Sequence, residues 1–308
     1  MKLLVTGATG HVGLELARQA TRRGMSVVAP YRGELPAATA AAAGPGVEWL
    51  ACDLADAAAV DALTRSRPIE RCIHAAAISN EAYARPAPLD AIQTNVGATA
   101  NLLEAARTGQ WRRLVLVSTG SVFQQRSDLV TPILEDQPPR PANVYSTTKT
   151  CAEGLVRMFR SEYGMQASTV RISWVYGPPV ASRSPTRGPI PSFLVRALNG
   201  EAIRESGADF AASFTYIADV AEGLLAAATA PELRHDVYHL GSGVNYTTGE
   251  VAQAVNLKFA PDIRFMTDES FAETERIAER WRPHRGVAAR LLWAYYKVAK
   301  DQRSGTPV

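Results

Sequence analysis

The sequence of 308 residues predicts an α/β fold, a doubly wound parallel sheet followed by a smaller C-terminal region. Short apolar runs rich in branched residues alternate with longer amphipathic stretches as far as residue 172, the sequence form of repeated strand–helix–strand units. The first of these units carries three glycines, Gly7, Gly10 and Gly13, between its strand and its helix. With 46% hydrophobic and 20% charged residues, the chain can bury the core that such a sheet requires.

Taken in order, strands are expected at 2–6, 26–31, 47–51, 71–76, 113–118 and 168–172, with helices between them at 11–23, 56–66, 88–108 and 145–163. Parallel strands need such crossovers, and right-handed connections put helices on both faces. Residues 36–45, rich in Ala, Gly and Pro, read as a flexible surface connection. After Val175-Tyr176-Gly177-Pro178-Pro179 the alternation breaks, and a Pro-, Arg- and Ser-rich loop from Val180 to Pro191 reads as a substrate rim. Helices at 191–199, 218–229, 247–257 and 286–300 and a strand near 213–217 complete the expectation.

A net charge of +3, from 33 basic and 30 acidic residues, gives no field that points to nucleic acid or a membrane surface as partner. Eight basic residues between Arg276 and Arg303, against Glu279 and Asp301, read as a solvated basic surface. Cys52, Cys72 and Cys151 are odd in number and lack metal-ligand spacing, so neither a disulfide framework nor a metal site is expected. The opening Met1-Lys2-Leu3-Leu4-Val5 is already a strand pattern, and no apolar run is long enough to span a bilayer. A reducing, cytoplasmic location follows as the expectation.

The glycine turn has a direct physical reading. Gly7 permits a tight turn, Gly10 lets the backbone approach a pyrophosphate, and Gly13 allows close helix–strand packing. Thr9, His11 and Val12 lie between them, and Leu14, Leu16, Ala17 and Ala20 continue as a helix whose N-terminus offers N–H groups and positive dipole to phosphates. Strand, glycine turn and helix in this order form a Rossmann-type dinucleotide site, so residues 1–172, joined by part of 213–245, are expected to bind a dinucleotide, and 173–308 to form the smaller substrate-binding region. The second strand ends in Tyr31-Arg32 where an acid would read a ribose 2′-hydroxyl; a guanidinium there suits a 2′-phosphate and favours NADP over NAD, although a surface arginine opening a loop also accounts for it. Asp53-Leu54 can meet the adenine, or Asp53 can cap the following helix.

Leu114-Val115-Leu116-Val117-Ser118-Thr119 reads as a buried strand delivering hydroxyls at its C-terminal end, where open α/β sheets bind ligands. Tyr145 and Lys149 follow on one helix face, so the ammonium can stabilise the tyrosine's phenolate. Tyr145 can then exchange a proton near neutral pH while hydride passes to or from a nicotinamide, with Thr119 bonding the reacting oxygen. The same spacing recurs at Tyr296 and Lys300 with no hydroxyl-bearing strand before it, and reads as incidental surface.

With these residues the chain resembles the extended short-chain dehydrogenase/reductases, the group that includes nucleotide-sugar epimerases and dehydratases. The resemblance spans about residues 2–258 and rests on Thr6 to Gly13, His74-Ala75-Ala76-Ala77, Asn95-Val96-Gly97, Ser118-Thr119, Tyr145 with Lys149, Arg171 with Val175-Tyr176-Gly177-Pro178, and Leu240-Gly241-Ser242-Gly243. It implies that Ala75, Ala76, Ala77, Ser118 and Ile172 contact the cofactor with Tyr145 and Lys149, that Asn95 holds the central helix, and that the helices near 88–108 and 145–163 pair in a homodimer. His74 reads as a packed core histidine rather than a proton donor.

Departures from the pattern bear on substrate. Gly120-Ser121 stand where nucleotide-sugar dehydratases carry an acid pair, which argues against 4,6-dehydration. Trp174 replaces an Asn, Ala212-Ser213 replace an Arg-Asp pair, and Leu291-Leu292-Trp293-Ala294 replace a Leu-Gly-Trp-x-Pro segment. Arg183, Arg187 or Arg204 could restore the lost diphosphate contact, and Ser79, Ser121, Trp174 and Phe214 are further candidate substrate contacts, although core packing also accounts for Trp174, Phe214 and Tyr216. The reading is an NAD(P)-dependent dehydrogenase, reductase or epimerase acting on a small molecule's secondary alcohol or keto carbon. Its alternatives are a nucleotide-sugar 4-epimerase holding NAD tightly and a non-catalytic dinucleotide sensor.

Overall fold

The computed structural model describes residues 1–125, 133–177, 188–198 and 211–259. In chain order the elements are β1 (Lys2–Thr6), α1 (His11–Arg22), β2 (Ser26–Tyr31), α2 (Ala37–Ala43), β3 (Val47–Ala51), α3 (Ala57–Arg65), β4 (Arg71–His74), α4 (Glu81–Ala84) and α5 (Pro88–Ile92). A π-helical turn (Gln93–Gly97) leads into α6 (Ala98–Thr108), then β5 (Arg113–Thr119), a 3-10 turn (Gly120–Phe123), α7 (Val144–Tyr163), β6 (Ala167–Ile172) and β7 (Trp174–Tyr176). There follow α8 (Pro189–Leu198), β8 (Ala211–Ala212), β9 (Phe214–Tyr216), α9 (Ile217–Thr229), β10 (Val237–Leu240), β11 (Tyr246–Thr247) and α10 (Thr248–Phe259).

The chain divides into two compact units, the larger holding Met1–Val175 and Ser213–Asn245. Within it seven strands form one sheet in the order β3, β2, β1, β4, β5, β6, β10, every neighbouring pair parallel. Strand period decides the layers. Leu4, Leu114 and Leu116 face a core shared with α3, α6 and α7, while Leu3, Val5, Val115 and Val117 face one shared with α1 and α9. Leu3, Leu4 and Leu116 are fully shut off from water, each contributing on the order of 2 kcal/mol. Arg71 and Arg113 donate to the carbonyls of Ala227, Ala228 and Ala230, tying the C-terminal end of α9 to the sheet's amino edge. In the smaller unit β8 and β11 pair antiparallel and α8 packs on α10.

Four expectations are corrected. Residues 37–43 form helix α2 instead of a flexible connection, because alanine is the strongest helix former and Gly44, at φ +89°, ends the run. The helix expected over 88–108 runs without interruption but widens to a π-helical turn over Gln93–Gly97, where the side chain of Asn95 bonds outside the helix. The fourth strand ends at His74, two residues early. The seventh strand, β10, was not among the expected elements. The helix expected over 286–300 and the basic stretch from Arg276 lie outside the described residues. Among the described residues, no helix is long and apolar enough to cross a membrane.

Candidate active site

The strand order reverses between β1 and β4, and the glycine turn sits at that point. Gly7 has φ +72°, and a Cβ on it would lie 2.6 Å from the Ala76 amide nitrogen, so only glycine lets the turn meet the segment that follows β4. A Cβ on Gly13 would lie 2.2 Å from the Gly7 carbonyl oxygen. Gly10 donates to that same oxygen at 2.9 Å and stands as N-cap of α1 with no side-chain cap. Thr9, His11 and Val12 lie partly exposed around this uncapped helix start. A bare cradle ending in a helix N-terminus is the donor set a dinucleotide's pyrophosphate requires, and the residues present fit it.

At the end of β2, where the sequence reading expects the ribose, the groups are side chains. The Tyr31 ring stands edge-on to Trp49 at 6.4 Å between centroids. Arg32 is 61% exposed, with its guanidinium 3.8 Å from the Asp53 carboxylate. Asp53 accepts the Ala55 N–H at 3.0 Å, and the cap of α3 is Asp56, which accepts from Ala58 and Ala59. The capping role weighed for Asp53 is therefore corrected: Asp56 stands next to the helix and takes it. Leu54 is buried, and its carbonyl takes a bond from Asn101.

Beneath the carboxyl ends of the strands runs one continuous hydrogen-bonded chain. Thr99 donates to the Asn95 carbonyl at 2.7 Å, so it accepts from His74 Nε2 at 3.1 Å; Thr6 accepts the Ala76 N–H and gives its own proton to His74 Nδ1 at 2.7 Å. His74 is thus neutral, with its proton on Nε2. Burial and then the nearby Lys149 charge push its pKa down to about 3, which rules it out as a proton donor near neutrality. Asn95 bonds both polar groups of the Ile78 main chain, at 2.8 and 3.1 Å, and donates to Thr148 Oγ1 at 2.9 Å. Thr148 in turn donates to the Tyr145 carbonyl at 2.8 Å.

Asn143 and Ser146 close a capping box at the start of α7, which carries Tyr145 and Lys149 one turn apart. Tyr145 is partly buried and Lys149 is 2% exposed. Burial lowers the Lys149 pKa to about 8, against the opposing pull of Glu153. Thr119 ends β5 beside Ile172 of β6, and its hydroxyl oxygen accepts the Ser121 N–H at 3.1 Å. The Ser118 hydroxyl, expected at the cofactor, is committed elsewhere: it donates to Glu153 at 2.5 Å, and Glu153 also holds Arg171 at 2.8 Å. Alternation along the strand turns Ser118 toward α7. Ser79 is exposed and Ser121 half-buried. Trp174 is 40% exposed and stands 6.2 Å from the buried Phe214 ring. Arg183, Arg187 and Arg204 lie outside the described residues.

Residues 3–241 match the NAD dependent epimerase/dehydratase family. The chain belongs to that family. It is 30% identical over 266 residues to a UDP-glucose 4-epimerase of Streptomyces lividans, covering 82% of this chain and 80% of that one. It is also 29% identical over 269 residues to a trifunctional UDP-glucose 4,6-dehydratase, 3,5-epimerase and reductase of Arabidopsis thaliana, of whose length the match spans 40%. Among solved structures, the Thermus thermophilus UDP-glucose 4-epimerase complexed with NAD superposes with a TM-score of 0.73 at 27% identity, over 84% of this chain and 83% of that one. The protein is accordingly an enzyme of the extended short-chain dehydrogenase type, dependent on a nicotinamide cofactor, with the Rossmann-like sheet described above.

Reading the sequence gives no hydrogen-bonding role to Thr6, Thr99, Thr148 or Glu153. Thr6 and Thr99 join His74 over 68 and 25 residues, separations that leave no local pattern. Glu153 did carry a signal, one helical turn beyond Lys149.

Proposed function

We propose that the enzyme oxidises and re-reduces a secondary-alcohol carbon through Tyr145, Lys149 and Thr119. The observation that carries this is the placement of Tyr145 and a buried Lys149 one helical turn apart on α7, with the Tyr145 carbonyl held by Thr148, which Asn95 holds in turn. A bound nicotinamide supplies hydride exchange at its C4 position. The Tyr145 phenolate takes the proton of the substrate hydroxyl and later returns it, the Lys149 ammonium holds that phenolate, and the Thr119 hydroxyl bonds the reacting oxygen. Gly7, Gly10 and Gly13 with the start of α1 receive the pyrophosphate, and Ala75, Ala76 and Ala77 with Ile172 wall the groove.

Likeness to the Streptomyces and Thermus enzymes, both UDP-glucose 4-epimerases, favours a nucleotide sugar as substrate and epimerisation at C4 as outcome. On the cofactor, Arg32 supports NADP. Its pairing with Asp53 is an exposed one worth under about 1 kcal/mol, less than the ~1.5–3 kcal/mol of a charge-assisted bond to a 2′-phosphate. The NAD in the Thermus complex supports the other choice. Titrating purified protein with NADPH and NADH by nicotinamide fluorescence, then adding UDP-glucose and following UDP-galactose, tests both points. Tighter NADPH binding that weakens in Arg32→Ala fits the NADP reading; tighter NADH binding overturns it.

We further propose a homodimer through the outer faces of α4, α5 and α7, where Tyr83, Leu89, Ile92 and Met158 are exposed. Sedimentation as a monomer at micromolar concentration would count against it.

A further inference from the structure

Tyr145 is held by its main chain from a place that the family motifs do not mark. In the first turn of α7, Asn143 caps the Ser146 N–H, which leaves the Tyr145 N–H to find an acceptor outside the helix. It finds Glu81, whose Oε2 accepts it at 3.0 Å across 64 residues of sequence. Glu81 opens α4, itself capped by Asn80, which accepts the Tyr83 N–H at 3.0 Å. This is the segment whose Ile78 is gripped by Asn95, and Asn95 reaches the Tyr145 carbonyl through Thr148. Both main-chain polar groups of the tyrosine are therefore tied to the stretch following β4, the stretch that also packs on Gly7 of the dinucleotide turn.

We propose that Glu81 is a positioning residue, fixing Tyr145 against the dinucleotide side of the site by accepting its main-chain N–H. A carboxylate suits this place, since the N-terminal end of a 20-residue helix attracts negative charge and a charged acceptor strengthens the bond. Stability of α7 does not need it, because the capping box already closes the helix start. What Glu81 adds is lateral register of one reacting side chain, and a displacement on the order of 1 Å there costs up to about a hundredfold in rate.

The inference rests on Tyr145 being the proton-transfer residue, so the test runs Glu81→Ala, Glu81→Gln and Tyr145→Phe beside the wild type, with UDP-glucose as substrate and nicotinamide fluorescence for cofactor affinity. Expected for Glu81→Ala is a roughly tenfold fall in kcat with KM and cofactor Kd within about twofold, recovered to within about threefold by Glu81→Gln, which keeps the acceptor oxygen. An inactive Tyr145→Phe with Glu81→Ala within about twofold of wild type overturns the proposal alone, as does a loss of cofactor affinity matching the loss of kcat, or a Glu81→Gln as impaired as Glu81→Ala. A fully active Tyr145→Phe overturns the reading of Tyr145 and the proposal with it.

Discussion

At the turn after β1 every constraint falls on the main chain: Gly7 and Gly13 leave no room for a single added carbon, and Gly10 heads a helix that offers only N–H groups. At the end of β2, the other end of the same dinucleotide groove, the groups are Arg32 and Asp53, 61% and 46% exposed and 3.8 Å apart. The first region cannot be altered without moving backbone. The second can change its charge at almost no structural cost. If the proposed cofactor site is right, binding a dinucleotide at all is written in buried geometry, whereas the choice between two dinucleotides falls to solvated side chains that one substitution can reverse.

The largest effect is expected from Gly13→Ala. Its Cβ would meet the Gly7 carbonyl at 2.2 Å, so the variant is expected to lose cofactor binding outright and about 1–3 kcal/mol of stability, read by nicotinamide fluorescence and urea unfolding. If it binds cofactor normally, the turn is softer than its packing implies.

His74 offers a test of the buried side alone. Its folded pKa of about 3 lies below the ordinary 6.5, so the unfolded chain takes up the proton first; its stabilising contribution is complete above pH 6.5 and is lost as pH falls toward 3. Chemical unfolding between pH 7.5 and 4.5 should lose up to about 1.4 kcal/mol per pH unit from this group, and His74→Gln should flatten the slope while lowering stability at neutral pH.

Lys149 carries the comparison into catalysis. With its pKa near 8, the charge proposed to hold the phenolate is lost as pH rises, and kcat/KM should fall about tenfold per pH unit above that point. Lys149→Arg, slower overall, should lack this alkaline limb because a guanidinium stays charged. The smallest effect belongs to the exposed end: Arg32→Ala should weaken NADPH binding by roughly tenfold, leave NADH binding within about twofold, and shift the melting temperature little.

Six of the seven sheet strands were legible in the sequence because each is a run of branched or apolar residues between turn signals, and the glycine turn, Tyr145 and Lys149 stood out by spacing. Val237–Leu240 was not, since a four-residue strand containing Tyr and His has too little apolar character to announce itself. The Ala-rich stretch 37–43 resembles a connection only through its flanking Pro36 and Gly44; its alanines favour the helix that forms. Within the site, residues whose backbone geometry or i,i+4 spacing matters were readable. The chain from Thr6 through His74, Thr99 and Asn95 to Thr148 was not, because its partners meet only once the sheet has formed. The bond from the Ser118 hydroxyl to Glu153 was not legible either, because the two meet across 35 residues only once α7 packs on β5.

Proton transfer is proposed to rest on Tyr145 and cofactor binding on the glycine turn, and Tyr145→Phe separates the two. Measured with saturating cofactor and UDP-glucose, kcat should fall by about 10²–10⁴ while the fluorescence-titrated cofactor Kd stays within about twofold of wild type. A variant that turns over at the wild-type rate, or one that loses cofactor and activity together, would contradict the account.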